Sequence, residues 1–339
     1  MNLFCWIPLE HDATSFYRAL QPISQLRKLI PELNIFHAGQ EINMKHLAHM
    51  DVVFLQRPST QGQLEVMQYC KKLGVKVWVE YDDNFWCVPD SNPSAAIIKK
   101  EVTQKVMLDL LNGADVISVS TQQLALDISK FLKIEPGKEK KIYTIPNAFN
   151  DYLFKEKPAF KKHNLITWRG TQSHQRDLAE FAPFIIKAAK ENPTWLFTFM
   201  GYNPYFIIEA LPHQAKHIEG LEIFQYHQVL RETFPNLIMV TLSDNPFNRC
   251  KSNIAWIEGT YAGAVCLGPS WEEWEKPGIV NYSDPATFGS ILSDILQHGA
   301  IPSGEKLHKL SWEFIMDNLR LSQVNMHRAT LLLELLGRK

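Results

Sequence analysis

NRCKSNIAWIEGTYAGAVCLG, residues 248–268, combines a loop, a helix, a glycine stop and a short buried strand. The pattern predicts a helix that begins at Lys251 and Ser252 and ends at Gly263. Glu258 lies seven residues after Lys251, so both side chains project from nearly the same face of this helix. Free N–H groups at the helix start suit a phosphate, and an acid farther along suits the hydroxyls of a sugar. The stretch therefore indicates a nucleotide-binding element, and a surface helix with solvated charges is the alternative.

Both halves of the chain alternate apolar strands with amphipathic helices at the spacing of βαβ units. In the first half, strands are predicted at 3–7, 51–55, 75–80, 116–120 and 142–145, and helices at 16–30, 61–73, 97–111 and 121–132. In the second half, strands are predicted at 165–168, 195–200, 221–224, 237–241 and 264–267, and helices at 177–191, 288–296 and 312–336. The alternation predicts an α/β protein with two doubly wound parallel sheets that face a cleft, each binding ligand at its strand C-termini.

The bulk composition excludes several classes of protein. A length of 339 residues suggests two domains, and a formal net charge of −1 provides no global attraction to nucleic acid or anionic lipid. The five cysteines form no Cys-x-x-Cys pair, which favours reduced thiols in the cytoplasm over a zinc site. Residues 1–8 lack the features of a signal peptide, and no apolar run is long enough to span a membrane.

A second anion-binding corner is predicted where the first strand of the second half meets its helix. There the sequence reads WRGTQSH, with Arg169 available for a bidentate phosphate contact and Gly170, Thr171 and His174 in the turn and helix start. The signal is weak alone because many α/β turns carry glycine. It gains weight because Lys251 comes from a neighbouring loop of the same half.

Acidic residues at the end of a first-half strand form another candidate group. Asp82 and Asp83, followed by Asn84, end the strand predicted at 75–80 and so face the cleft. One acid could bind an acceptor hydroxyl or act as a base, and two together could hold a divalent metal. A turn that caps the next helix is the alternative. Arg18, at the start of the first helix, could contact phosphate or acceptor, or could be an ordinary solvated charge.

Other motifs carry little chemical signal. His213 and His217 have metal-ligand spacing for a helix, but a nearby acid is found only at Glu209, so a metal site is not expected. Trp271 and Trp274 flank two acids in a loop that could stack a sugar, although packing of the tryptophans is favoured. No Walker loop, Ser-His-Asp elbow or G-x-G-x-x-G motif is present.

Taken in order, these pieces resemble one family over nearly the whole chain. The resemblance rests on 166–170, on 247–252 leading to Glu258 and 263–265, and on Tyr17 with Arg18, 80–84, 114–121 and 145–148. They are similar to retaining GT-B glycosyltransferases, in the broad group that includes sucrose and glycogen synthases, and most of all to a bacterial and phage subset. The resemblance implies two Rossmann-like domains, at 1–155 and 156–311, with a helix at 312–339 that packs back on the first domain.

The resemblance also implies roles for individual residues. The catalytic candidates are Asp83, Lys251 and Arg169, and the nucleotide-sugar-binding candidates are Gly170, Thr171, His174, Phe247, Asn248, Ser252 and Glu258. The acceptor-side candidates are Tyr17, Arg18, Asp82 and Asn84. Glu258 corresponds to the acid that binds the donor ribose. The family's second acid, eight residues earlier, is replaced here by Cys250, which leaves the identity of the sugar open.

The implied activity is transfer of a sugar from a nucleoside diphosphate sugar to an acceptor hydroxyl. A UDP-sugar is the expected donor, with no permanently bound cofactor, no metal, and retention at the transferred carbon. A glycan or small-molecule acceptor is the first choice and a hydroxymethylated base in phage DNA the second. Lysine runs at 138–141 and 155–162 are the local basic segments that DNA would need, although such runs in linkers are usually solvated.

Two alternatives remain at the level of sequence. A GT-A-type glycosyltransferase would hold manganese at Asp82 and Asp83, but it leaves the second α/β half unexplained. A non-enzymatic two-domain protein would close around a small ligand by hinge motion.

Overall fold

Two six-stranded parallel sheets form the framework of the computed structural model, which describes residues 1–7, 12–39, 42–133, 142–154, 156, 158–160, 163–299 and 301–338. The strands of the first sheet are β1 Asn2–Trp6, β2 Asn34–Ala38, β3 Val52–Gln56, β4 Lys76–Tyr81, β5 Val116–Val119 and β6 Ile142–Thr144. Those of the second are β7 Leu165–Gly170, β8 Leu196–Gly201, β9 Ala215–Ile218, β10 Leu237–Met239, β11 Val265–Pro269 and β12 Ile279–Tyr282. The expected α/β class and paired sheets are confirmed.

Helices connect the strands in both halves. In the first half they are α1 Ala13–Ser15, a π-helical segment Phe16–Leu20, α2 Gln21–Gln25, a 3-10 turn Leu26–Lys28, α3 Met44–Leu47, α4 Gln61–Leu73, α5 Ala95–Ile98, α6 Glu101–Gly113 and α7 Gln122–Ser129. In the second half they are a 3-10 turn Gln172–His174, α8 Gln175–Glu191, α9 Tyr205–Ala210, α10 Ile223–Thr233, α11 Pro246–Arg249, α12 Ile254–Ala262, α13 Pro285–Gln297, α14 Gly304–Asn318 and α15 Leu321–Leu335. None of the helices in this described part combines the length and apolar character that a membrane crossing requires.

The strand order of each sheet fixes where a ligand can bind. The first sheet runs β2-β1-β3-β4-β5-β6 and the second runs β12-β11-β10-β7-β8-β9, with all pairs parallel. The order reverses between β1 and β3 in one sheet and between β7 and β10 in the other. Connections leave a doubly wound sheet in opposite directions at such a point and open a crevice at the strand C-termini.

Helix α4 shows how local sequence sets an element. Thr60 and Gln63 form a capping box, in which each side chain bonds to the backbone N–H of the other. Gly74 ends the helix with φ of 75°, a left-handed conformation that glycine adopts without steric cost. The bounds therefore coincide with the prediction of 61–73.

The prediction was incomplete at the sheet edges. It missed β2, β9 and β12, which are edge strands with exposed or mixed burial and therefore lack a continuous apolar run. The prediction of a strand at 221–224 is wrong. Ile223 begins α10, which packs Leu230 into the core of the second half and buries His227 beside Tyr17 of the first half.

The last predicted helix, 312–336, is two helices with different partners. Trp312 lies inside α14, which packs in the same core as α12 of the second half. Helix α15 packs against the first half, where the Asn325 amide donates to the carbonyl oxygen of Pro22. Between them, Phe149 N donates to Leu319 O at 2.8 Å and Leu321 N donates to Phe149 O at 2.7 Å. The outgoing and returning crossings of the chain therefore lie side by side.

Candidate active site

A cavity of about 470 Å³ lies where the two reversal points face each other. The first half contributes residues that follow β1, β3 and β4, and the second half contributes residues that follow β7 and β10 together with 247–258. Among the predicted site residues, those that line it are Tyr17, Arg18, Asp82, Asp83, Arg169, Thr171, His174, Phe247, Lys251, Ser252 and Glu258. The fold thus gathers residues from distant parts of the sequence around one space.

Three predicted residues do not line this cavity. Asn84 is fully buried and donates to Asp127 Oδ2, and the Asn248 amide donates to Asp177 Oδ1 and to the carbonyl oxygen of Ser243. Gly170 lies behind the rim, where a Cβ would come within 2.6 Å of the Trp168 ring. Asn84 and Asn248 are bonded to neighbouring protein groups that hold the cavity walls in place.

Lys251 lies in a loop and not at the start of a helix, in contrast to the prediction. Helix α12 begins at Ile254, with Asn253 before it. The loop is held by the first half, because Thr121 Oγ1 donates to Cys250 O at 3.0 Å and the Asn147 amide donates to Ser252 Oγ at 2.7 Å.

Asp83 of the first half faces Lys251 directly, with 2.8 Å between Lys251 Nζ and Asp83 Oδ1. Burial alone would raise the pKa of the Asp83 carboxyl, but Lys251 and Arg57 lower it, and the net pKa is below the ordinary value. Asp83 is therefore an ionised carboxylate at neutral pH, bonded across the cleft.

Glu258 is at the centre of a bonded cluster in the cavity wall. Its side chain is 4% exposed. Its Oε1 accepts from the Tyr17 hydroxyl at 2.6 Å, and its Oε2 accepts from the Tyr226 hydroxyl at 2.8 Å. Arg169 Nη2 lies 2.8 Å from the same Oε2. The predicted ribose acid is thus already bonded to two hydroxyl donors and one guanidinium.

Arg169 extends from the end of β7 into the cavity, with a side chain that is 25% exposed. Burial lowers the pKa of its guanidinium, but the effect of Glu258 and the neighbouring tyrosines is larger. The net pKa is above the ordinary value, so the group stays charged. Arg169 Nε has no hydrogen-bond partner among the described residues. A charged group with a free donor on a cavity wall is suited to an anion.

Arg18 differs from its predicted role as a free cation. It is 2% exposed and its Nη2 lies 2.5 Å from Glu80 Oε1. Its Nη1 donates to Ile145 O at 2.7 Å and to Asn147 Oδ1 at 3.1 Å. Because Asn147 in turn donates to Ser252, Arg18 supports the loop beside Lys251 through Asn147.

Arg57 is a cavity residue that the sequence interpretation missed. It follows β3 and adopts φ of 45°, a left-handed conformation that is unfavourable for a non-glycine residue and is concentrated at functional sites. Its guanidinium bonds to both oxygens of Asp82 and lies 3.3 Å from Asp83 Oδ2. The available signal was its position, a charged residue at the carboxyl end of a buried parallel strand.

His174 and the remaining candidates complete the site. Burial lowers the pKa of His174, and Lys251 and Arg169 lower it further, while Asp177 at 3.1 Å opposes them.

His217 lies on β9 and bonds to Gly201 O, so the predicted His213–His217 pair is not on a helix. His11 and the lysines at 138, 140, 141, 155, 157, 161 and 162 lie outside the described residues.

Comparison with known proteins identifies the fold. No protein-family model matches the chain, and no curated protein matches it by sequence. Solved structures do match. TarM from S. aureus, determined with fondaparinux, α-GlcNAc-glycerol and UDP, has a TM-score of 0.61 and 11% identity, over 84% of this chain and 55% of that one. The pneumococcal O-GlcNAc transferase GtfA, with UDP and GlcNAc, has a TM-score of 0.61 and 13% identity, over 86% and 59%.

A UDP-forming α,α-trehalose-phosphate synthase from Burkholderia xenovorans has a TM-score of 0.61 and 11% identity, over 98% of both chains. The chain has the GT-B fold. It spans a little over half of the TarM and GtfA chains and nearly the whole length of the synthase.

Within this GT-B fold, Cys250 does not face the cavity. The thiol is fully buried among first-half residues, with Sγ 3.3 Å from Asp127 Oδ2 and 3.5 Å from Asn84 Nδ2. Burial raises the pKa of the thiol to about 12, so it is neutral. The cysteine that departs from the family pattern therefore belongs to the contact between the halves.

Proposed function

We propose that this chain transfers a sugar from a nucleoside diphosphate sugar, a UDP-sugar, to an acceptor hydroxyl. The observation that carries the proposal is the cavity between the two reversal points, where Arg169, Lys251 and Glu258 line the second-half wall. The similar TarM and GtfA structures were determined with UDP, and the similar trehalose-phosphate synthase is UDP-forming, which supports the choice of donor.

In this proposal the diphosphate lies between Arg169 and Lys251, and the ribose hydroxyls bind Glu258. The bond from the anomeric carbon to the diphosphate oxygen breaks, and a bond from that carbon to the acceptor oxygen forms on the same face. The acceptor proton passes to the leaving phosphate oxygen. Fixed cations stabilise the charge that grows on the diphosphate, which is the largest effect that such a site can supply.

The surroundings of Asp82 and Asp83 favour a reaction without metal. Both carboxylates are bonded to Arg57, and Asp83 is also bonded to Lys251. A divalent ion would have to displace these cations to reach the acids. We therefore propose that Asp83 orients the attacking hydroxyl of the acceptor. Asp82 bonds to Arg57, which in turn holds Asp83.

The charge of the first-half wall favours a glycan or small-molecule acceptor over DNA. Asp12, Asp82 and Asp83 face Arg57 there, so acids exceed cations around the proposed acceptor position. This balance repels phosphates, whereas DNA-binding surfaces neutralise phosphates with lysine and arginine. The proposed domains 1–155 and 156–311 divide these walls between them, and the return to the first half begins with α15 and not at residue 312.

Thermal unfolding with nucleoside diphosphates tests the proposal. UDP at a hundredfold excess over its dissociation constant should stabilise the chain by about 2.7 kcal/mol, with ADP and GDP as matched controls. Radiolabelled UDP-glucose and UDP-GlcNAc should then release labelled product at the same rate with and without EDTA. No shift with any nucleoside diphosphate at millimolar concentration contradicts the proposal. Binding without product release favours the non-enzymatic alternative, and loss of activity in EDTA favours the metal-dependent one.

A further inference from the structure

The second-half residues that the proposed donor needs are bonded to side chains of the first half. Lys251 Nζ contacts the Asp83 carboxylate at 2.8 Å, and Glu258 Oε1 accepts from the Tyr17 hydroxyl at 2.6 Å. A carboxylate on a lysine resembles a phosphate oxygen on that lysine, and a phenol on a carboxylate resembles a ribose hydroxyl. The first half thus presents the same two chemical groups that a nucleotide would present.

Resting on the proposed function, we propose that Tyr17 and Asp83 occupy the ribose-hydroxyl and phosphate positions of the donor until the donor binds. When UDP binds, it replaces both side chains at these positions and does not enter an empty site. The exchange releases the Asp83 carboxylate from Lys251, which makes it available to an acceptor hydroxyl. The donor therefore binds before the acceptor.

The bonding of Glu258 explains why Tyr17 is the group that leaves. Its Oε2 is held by Arg169, near the end of β7, and by Tyr226 of α10, both from the second half. Of the described residues that bond to Glu258, Tyr17 alone comes from the first half. Because Glu258 is only 4% exposed, a ribose hydroxyl has to take the position of the Tyr17 hydroxyl in order to reach Oε1.

Tyr17 has a second partner that remains available to its hydroxyl after the exchange. Its hydroxyl lies 2.8 Å from His227 Nε2. Burial lowers the pKa of His227, so its ring is neutral at pH 7 and one ring nitrogen can accept. After the exchange the Tyr17 hydroxyl can donate to Nε2, and the single ring proton of His227 then lies on Nδ1, which has no hydrogen-bond partner among the described residues.

Asp83 also keeps a partner after the exchange. When phosphate takes Lys251, Arg57 Nη2 remains 3.3 Å from Asp83 Oδ2. Oδ1, which now faces Lys251, is then the oxygen that faces the cavity. Arg57 is thus a positioning residue that holds Asp83 in both states.

Calorimetric titration of the full chain with UDP tests this exchange. Tyr17→Phe and Asp83→Asn each remove a competitor, so each should bind UDP about threefold to tenfold more tightly than wild type. Tyr226→Phe is the matched control, because it removes a Glu258 partner of the second half and should bind UDP equally or less tightly. Tyr17→Phe should also lower Tm, since a contact between the halves is lost.

The two readouts separate the proposed exchange from a purely structural role. Tighter UDP binding together with a lower Tm supports it, because a structural residue would weaken both. If wild type binds UDP and neither Tyr17→Phe nor Asp83→Asn binds it more tightly, the exchange is overturned and the proposed function stands. Absence of UDP binding by all four proteins overturns the proposed function and this inference together. Should Tyr17→Phe fail to fold, Asp83→Asn decides the outcome.

Discussion

The two walls of the cavity have opposite charge balances. On the second-half wall, two cations face one acid: Arg169, Lys251 and Glu258. On the first-half wall, apart from the buried Arg18–Glu80 pair, one cation faces three acids: Arg57, Asp12, Asp82 and Asp83. Two sheets of the same architecture thus present opposite electrostatic surfaces to one space. The difference fits the proposal that an anionic donor binds the second half and a neutral, hydroxyl-bearing acceptor binds the first.

Lys251→Ala should produce the largest effect, because it removes a cation from the donor wall. Charge grows on the diphosphate as the glycosidic bond breaks, so the loss should lower turnover by about 100-fold or more. Ground-state affinity for UDP should fall less. Release of labelled sugar measures the first quantity and calorimetry the second.

Lys187→Ala is the matched control for Lys251→Ala, because Lys187 is an exposed lysine of α8 in the same half. It should leave both quantities unchanged. Equal activity of the Lys251→Ala variant and wild type would contradict the assignment of the donor to this wall.

Glu258→Ala should have the next largest effect, on donor binding. A carboxylate that accepts ribose hydroxyls contributes about 1.5–3 kcal/mol per charged hydrogen bond, so UDP affinity should fall about tenfold to a hundredfold. Glu272→Ala, an exposed acid of the same half, serves as the control. Unchanged UDP affinity in the Glu258→Ala variant would mean that its bonds to Arg169, Tyr17 and Tyr226 are structural.

His174→Gln should produce the smallest effect, which depends on pH. In the ligand-free chain the pKa of His174 lies below its ordinary value, because of burial and the nearby cations. A bound diphosphate brings negative charge and raises that pKa. By linkage, UDP affinity of wild type should therefore rise as pH falls from 7.5 to 5.5.

The comparison with His174→Gln isolates the histidine, because ionisation of UDP itself is common to both proteins. Wild type should gain about threefold more affinity over this pH range than the variant. Identical pH profiles by calorimetry would mean that His174 does not contribute to the donor wall.

Where local signals agreed with the fold, the sequence predicted the structure. The bounds of α4 follow from Thr60 and Gly74, and the buried strand β3 follows from an apolar run between two covered faces. The edge strands β2, β9 and β12 were missed because their burial is partial and no continuous apolar run marks them, whereas the edge strand β6 was predicted at 142–145. The break between α14 and α15 was missed because it depends on Phe149, which is distant in sequence.

The chemical identity of the cavity residues was predicted better than their bonding. Lys251, Glu258 and Asp83 all reach the cavity, but their partners come from the other half or another element, and no local pattern specifies such a pairing. Arg18 is the clearest case, because its charge is neutralised by Glu80, 62 residues away along the chain. Arg57 was overlooked because its conformation is set by bonds to Asp82, and a single sequence does not encode φ directly.

The adjacent crossings at Phe149 and Leu319–Leu321 have a mechanical consequence. The two polypeptide connections between the sheets are tied to each other by backbone hydrogen bonds, so they act as one pivot. Rotation about a single pivot displaces each atom in proportion to its distance from the axis. A small change in a few backbone dihedrals at this point would therefore produce a large change in the width of the cleft at its mouth. The hydrogen bonds within each sheet would stay intact.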